Sequence, residues 1–555
     1  MRKLILKMLA LCLIAGAVTA TAFAEGAKET APAASKKTWD YAKETPFSDI
    51  RIRQALAYAI DMDTITATIF EGLADPARSM TNVGAWQSPN LVKYSYNPEK
   101  AKELIAAAGW PSDYVVDVVT YYADQQTADF LTTVQDYLGK VGVKMKWRLI
   151  EGDINSQLWI APADRVNGPS VVKWDVAYAA VAASAESEFY TRYGSTAPNN
   201  SHTPKDEVMD KLLEGLNVVD VSAQMKALHA VQERLNEKMY SIPLYHQIAF
   251  IYVGNLLDVK GTVHGNDQFS YEKNILNWTV NRDDKTMYSN GGPKEFYEAP
   301  MTNPGLYLYE ELIFDKLINA DASLTPTTGM LAKSWSASAD GMKYEFDLRT
   351  DVKWHDGTPF TADDVKFSIE FLVRANSFAA VNLKNIQGAE DFVAKKAADV
   401  SGVVVNGNKV TVTFAKVTPN ASMVFSQWPM LPKHLLKDSD PMTTQTDKFW
   451  QKPIGTGPFK AGEFVRNNYA VLERFDGYYR KGTGNIQKIY LSASNDNDPN
   501  LMVNAEAGKI DYAWSKSTAD AKAIGKLPNF KVTKAPIRYT RFFHMNQFPH
   551  LPNVK

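Results

Sequence analysis

The sequence predicts an α/β protein of two lobes, and three observations carry that expectation. At 555 residues the chain is longer than one hydrophobic core normally organises. From Val115 to Ala182 strand and helix patterns alternate: "VVDVVTYY", a helical stretch around Ala128 to Val141, "VKMKWRLI" and "WDVAYAAVA". Residues 261–296 then turn polar, rich in Gly and Asn, and divide the chain as a connecting stretch.

In chain order, Arg2, Lys3 and Lys7 precede an apolar run from Leu9 to Val18 and a small-x-small site at Ala22–Ala24. This pattern predicts a signal peptide over 1–24, cut after Ala24, and an exported, periplasmic protein. Cys12 is the sole cysteine, and Leu11 before it does not suit a lipid-anchor site. The mature chain then has no thiol or disulfide chemistry. Residues 25–45 read as an exposed tether. "IRQALAYAID" places Ala55, Leu56, Ala59 and Ile60 on one helical face. In "YNPEKAKELIAAAGWP", Asn97 caps, Pro98 suits the first turn, and Gly109 ends the helix. Residues 205–239 are helical, with Leu212, Leu213, Leu216, Met225, Leu228 and Leu235 as core, and "IPLYHQIAFIYV" is a strand that can cross between lobes. In the second part Thr361 and Asp364 have capping-box spacing, "VVVNGNKVTVTF" is a hairpin turning at Asn406-Gly407, and "GTGPF" is a tight turn before a strand pair.

The formal net charge of −1, without long runs of one sign, argues against a nucleic-acid surface. "WHDG" places His355 beside Asp356 with no second histidine at ligand spacing, so it reads as a turn into a helix, not a metal site. "GTGPF" lacks the lysine and hydroxyl of a phosphate loop. Glu186 and Glu188 would point oppositely on a strand. No nucleophile elbow or zinc-hydrolase motif occurs, so the expectation is a binding protein with no enzymatic activity and no cofactor.

"LAKSWSASADGMKYEFDLRTDVKWHDGTPFTADDVKFS" resembles the extracellular solute-binding protein family 5, which serves ABC importers of peptides, nickel and some oligosaccharides. "IGTGPFKAGEFVRNNYAVLERFDGYYRKG", "RIRQALAYAIDMDTI", "NPEKAKELIAAAGW", "VVKWDVAYAA" and "YSIPLYHQIAFIYV" are similar to further segments of it. The resemblance implies a two-lobed periplasmic-binding-protein type II fold with an extra subdomain in the larger lobe. It also implies that the halves stand in reversed order, a circular permutation. Residues 46–255 correspond to the smaller lobe, 256–296 to its end and a joining linker, and 297–555 to the larger lobe, with the subdomain near 318–440. The break is expected at one of two lobe crossings, leaving one covalent crossing near Phe250 to Asn255 and a looser hinge; an accidental fusion of two partial genes is the alternative.

The resemblance implies a ligand between the lobes, a peptide or, alternatively, an oligosaccharide, and an importer permease as partner of a monomer. In the peptide-binding relatives the strand matching "WDVAYAAVA" runs along the ligand, and its Asp grips the peptide amine. Here that Asp becomes Ser184, the aromatic Val181 and the glycine Ala180, and Glu186 is a substitute anchor. Trp86, Tyr178, Tyr307, Trp428 and Phe543 are candidate aromatic walls, suited to sugar faces, and Asn546 is a candidate neutral polar contact. A surface adhesin or chaperone reusing the fold would show no ligand-dependent closure.

Overall fold

The computed structural model describes residues 37–553 apart from 82–83, 182–185, 219, 263–273, 298, 300–307, 321–325, 376–382, 419–420 and 495–497. The expected signal peptide lies outside the described residues.

Ten strands build one mixed sheet, with a short eleventh, Asp75–Pro76, against its centre. They are β1 (Val115–Thr120), β2 (Lys144–Leu149), β3 (Val176–Val181), β4 (Ser241–Gly254), β5 (Thr286–Gly292), β6 (Phe459–Val465), β7 (Tyr469–Arg474), β8 (Lys488–Ala493), β9 (Tyr512–Ser515) and β10 (Phe530–Met545). Their order is β6-β7-β8-β5-β9-β4-β10-β3-β1-β2. Strands β4 and β10 are antiparallel partners from Phe530↔Gly254 to His544↔Ser241. One end of this pair meets β9, through Phe250–Val253, and the other meets β3, through Thr540–Met545. The long ribbon is therefore shared by two half-sheets, each with its own core. The register shifts between Pro536 and Thr540, where proline cannot donate to the ladder.

The first lobe's core gathers Phe130, Val134, Val118, Tyr178, Tyr245, Phe543 and Met545 under α1 (Ile50–Ala59) and α3 (Gln125–Lys140). Helix α2 (Pro98–Ala108) forms as its punctuation predicts: Asn97 accepts the Lys100 N–H, and Gly109 takes φ 70°, the left-handed conformation that glycine adopts without strain. The second lobe's core runs from Trp278, Tyr309 and Tyr512 to Trp354, Phe346 and Trp450. It includes a four-stranded antiparallel sheet (Ala332–Ala337, Lys343–Leu348, Lys409–Thr413, Val403–Asn406) covered by helix Ala362–Arg374. The Asp364 carboxylate accepts the Thr361 N–H at 2.8 Å, as the capping box requires. The hairpin pairs Asn406 with Lys409, which moves its turn one residue on, to Gly407-Asn408.

Four expectations need correction. The stretch 261–296 is not only a connector, because "TMYSNGG" forms β5, a central strand parallel to β8 and β9. Its polar residues are held by partners more than 200 positions away: the Tyr288 N–H donates to Asp511 at 2.9 Å, and the Gly291 N–H to the Ser494 hydroxyl at 2.7 Å. Residues 37–45 are not a free tether. Trp39 is buried against Ile52 and Ala108, and its indole N–H donates to the Gly109 carbonyl at 2.9 Å. Residues 540–553, expected with the larger lobe, join the first: the Asn546 N–H donates to Asp175 O, the Gln547 N–H to His202 O, and Pro549 O accepts the Ser170 N–H. It follows that two strands cross between the lobes, not one, since β10 carries the chain back into the first lobe beyond the crossing of β4.

Candidate functional site at the lobe crossing

The GTG turn shows how tightly the second lobe is set. A Cβ on Gly455 would fall 1.8 Å from Ile313 O, and one on Gly457 2.3 Å from Leu312 O, so backbone passes where any side chain would stand. His355 clamps the same turn: its Nδ1 accepts the Gly455 N–H at 3.2 Å, which leaves Nε2–H to donate to Gly457 O at 2.9 Å. Burial lowers this imidazole to about 4, so it stays neutral in that tautomer. Neighbouring Asp356 instead meets His434 at 2.7 Å. "WHDG" and "GTGPF" are thus two halves of one structural joint.

Where the lobes meet, side chains from both close on each other. Gln126, near the start of α3, donates to the Thr518 hydroxyl at 2.9 Å, Lys522 pairs with Glu71 at 2.7 Å, and Lys534 donates to Gly72 O at 2.8 Å. Within the ribbon, the Thr540 hydroxyl donates to Met80 O at 3.0 Å, so His246 Nδ1 donates to Thr540 at 2.9 Å.

Beside this crossing stands Arg541, only 8% exposed. On β10 it lies opposite Ala180 of β3 and Tyr245 of β4. Its guanidinium carbon is 3.6 Å from the centre of the Tyr122 ring, 5.7 Å from that of Tyr178 and 5.8 Å from that of Tyr539. Nη2 donates to Gln247 at 3.4 Å, whereas Nε and Nη1 are buried without a partner. No carboxylate pairs with it among the described residues. Guanidinium does not deprotonate in proteins. A cation over a ring recovers about 0.5–2 kcal/mol, against several for burying an unpaired ion. The group is electrostatically incomplete.

The structure brings together Tyr178, Ala180 and Phe543 of the sequence-derived candidates, all next to Arg541. Tyr178 is fully buried, its hydroxyl 2.7 Å from that of Tyr245, and its ring packs on Phe130 and Phe543. Tyr178 and Phe543 are therefore core walls rather than open stacking faces. Trp86 is half-buried and packs with the cluster under helix Val221–Lys238; its carbonyl accepts Gln232 Nε2 at 2.7 Å. Trp428 sits in the second lobe's core, 3% exposed, with its indole N–H unpaired. Asn546 is spent structurally: Nδ2 donates to Ser170 Oγ and Trp174 O, and Oδ1 accepts the Phe548 N–H. Ser184, Tyr307 and the side chain of Glu186 lie outside the described residues. Glu186 itself opens helix Glu186–Tyr193, so the strand argument for Glu186 and Glu188 is corrected. Arg541 was missed, although strand parity pointed to it: in "RYTRFFHMN" positions 541, 543 and 545 share a face, and two of the three are core hydrophobics.

Strand β3 pairs with β1 only through Val176 and Ala177, so from Tyr178 to Val181 that edge has no strand partner among the described residues.

Comparison with known proteins identifies the class. The chain belongs to the bacterial extracellular solute-binding proteins, family 5, whose model matches residues 28–194 and 327–552. The oligopeptide-binding protein OppA of Bacillus subtilis is 29% identical over 226 residues, 39% of this chain and 38% of that protein. The dipeptide-binding protein DppE of the same organism is 25% identical over 225 residues, 40% of each chain. This chain therefore spans less than half the length of the curated relatives it matches. Among solved structures, NikZ from Campylobacter jejuni in complex with Ni(L-His) is 28% identical, with a TM-score of 0.38 over 45% of this chain and 47% of that one. Among the described residues, no helix is long and apolar enough to cross a membrane.

Proposed function

We propose that this protein captures a peptide in the cleft between its two lobes and delivers it, outside the cytoplasm and as a monomer, to the permease of an ABC importer, with no chemistry of its own. The observation that carries the reading is the shared β4–β10 ribbon with an electrostatically incomplete guanidinium beside the crossing. Interdomain crevices are where small ligands bind, and hinge closure then buries them. The edge of β3 from Tyr178 to Val181 has no strand partner among the described residues but is buried, so an extended peptide would pair with it only as the lobes part. The names of OppA and DppE point the same way. A neutral oligosaccharide is disfavoured because it supplies no charge for Arg541.

The reversed order of the halves belongs to the same proposal. The family model matches in two separate stretches, and each named relative matches over less than half of its length. Residues from both sides of the inferred cut meet on one network: Phe47 packs on Tyr114, whose hydroxyl donates to Asp175 at 2.6 Å, and His550 reaches the same carboxylate at 2.7 Å.

Thermal melts with pooled peptides and with neutral oligosaccharides test the ligand class, since a ligand binding only the folded state raises the midpoint. Shifts with peptides alone are expected. Shifts with oligosaccharides alone would overturn the reading.

A further inference from the structure

We propose that Arg541 is the receptor for a carboxylate on the bound ligand, so that the protein selects peptides by an acidic group set beside Tyr122. This rests on the reading that the ligand lies between the lobes.

Three features single this side chain out. First, its cation is permanent and buried, and the polar groups facing it are the phenols Tyr122, Tyr178, Tyr245 and Tyr539 and the amide of Gln247. Those groups orient a guanidinium without neutralising it. Other arginines are better satisfied: Arg282 is paired with Asp511 at 2.9 Å, Arg53 donates to the carbonyls of Phe47, Ser48, Lys238 and Met239, and Arg192, over the Trp159 ring, leaves only Nε buried without a partner. Second, two of its three nitrogens have no acceptor, and a planar fork with free N–H groups matches the two oxygens of a carboxylate. Third, the surroundings hold the fork still. Tyr122 covers it at 3.6 Å, Gln247 accepts from Nη2 at 3.4 Å, and on the β3 side the ladder runs without interruption from Thr540 to Met545. A donor set fixed before binding loses little freedom when the ligand arrives.

The second lobe adds to the same polarity. Lys516 lies 5.4 Å from the centre of the Tyr539 ring and 5.7 Å from that of Trp514, so a second cation shares the Tyr539 ring with Arg541. A guanidinium set among aromatic rings suits an extended ligand with one negative group.

The test uses the full mature chain and a pooled tripeptide library, once with free C-terminal carboxylates and once with the same peptides amidated. A third pool is amidated but carries Asp or Glu side chains. If the C-terminal carboxylate is the partner, only the free-acid pool raises the melting midpoint strongly; if a side-chain carboxylate serves, the third pool does so too. In Arg541→Gln the affinity for the responding pool falls by about tenfold or more, while Arg541→Lys keeps the charge, loses the fork and recovers part of it. Equal binding of free-acid and fully neutral pools by the wild type, or unchanged affinity in Arg541→Gln, overturns the proposal.

A ligand-free readout separates this inference from the peptide reading. Without ligand, Arg541→Gln melts higher than the wild type, because a buried uncompensated charge has been removed. If no peptide pool binds, the peptide reading fails, and a higher ligand-free midpoint with stabilisation of only the wild type by citrate still supports a carboxylate receptor. A lower ligand-free midpoint in Arg541→Gln marks the arginine as a structural member and overturns the inference.

Discussion

Replacing Asp315 by Asn tests the electrostatics of the second lobe most directly. Asp315 follows the helix Leu308–Ile313 and lies beside the GTG turn: its N–H donates to Thr456 Oγ1 at 3.3 Å and its carbonyl accepts the Met430 N–H at 3.0 Å. The Tyr478 hydroxyl donates to Oδ1 at 3.2 Å, but Oδ2 is buried without a partner. Burial pushes the carboxyl from 3.8 up to about 7. An acid whose folded-state pKa is raised binds more protons folded than unfolded between those two values, so stability falls as pH climbs from about 4 and levels off above about 7. At about 1.4 kcal/mol per tenfold, the span from 3.8 to about 7 sets an upper limit of about 4 kcal/mol. Asn removes the titration but leaves one amide donor without an acceptor, which costs about 1–3 kcal/mol. The net expectation is that Asp315→Asn is less stable than the wild type at pH 4 and more stable by about 1–3 kcal/mol at pH 8. Urea denaturation of both proteins from pH 4 to 8 measures this, and the histidine titrations they share cancel in the difference. A stability difference independent of pH would refute the reasoning, because the carboxylate would then carry no burial cost.

Three further outcomes follow from the same geometry. His355→Ala orphans the Gly455 N–H and the Gly457 carbonyl together and should cost about 2–4 kcal/mol in urea melts, without changing ligand affinity beyond the loss of folded protein. Charge reversal at Glu71→Lys breaks the exposed pair with Lys522; it should leave the melting midpoint nearly unchanged while raising the ligand-free radius of gyration in solution scattering, since it loosens closure and not a core. Acid should destabilise the protein through buried histidines: burial lowers His202 to about 3 and His246 to about 4, both remain neutral when folded, and the stability they hold above about 6.5 is lost as pH falls towards 4, readable as a drop in midpoint across that window.

Local chemistry was readable from the residues wherever it decided the structure alone. Asn97-Pro98 and Gly109 bound α2, and Thr361 with Asp364 starts the helix Ala362–Arg374, because caps act within one turn of chain. Partnership across the chain was not readable. "TMYSNGG" has nothing in its own composition to mark a central strand; Ser289 and Asn290 are buried there because β8 and β9 flank them. Trp39 docks only because α2 ends in a carbonyl that can accept its indole N–H. The site followed the same rule. Tyr178 and Phe543 were selected as aromatics, and they are near the crossing, yet packing on Phe130 turns them into core. Arg541 differs for the opposite reason: its neighbours bury it, no carboxylate among the described residues pairs with it, and that is a property of β3, β4, β10 and Tyr122 together, not of its own sequence.

The two crossings bear on how such a molecule closes. With a single covalent crossing, closure would rest on one flexible strand and the lobes could twist freely. Here β4 and β10 are hydrogen-bonded partners at both ends, and the ladder is interrupted between Pro536 and Thr540 and again between Arg541 and Phe542. Bending is cheapest where ladder bonds are missing, so a hinge is expected between Pro536 and Phe542. That is also where Thr540 is tied to His246 and Met80, one residue from Arg541. A ligand that draws on Arg541 therefore pulls next to the hinge itself. If Arg541 receives the ligand, capture and closure are coupled through one residue step of β10.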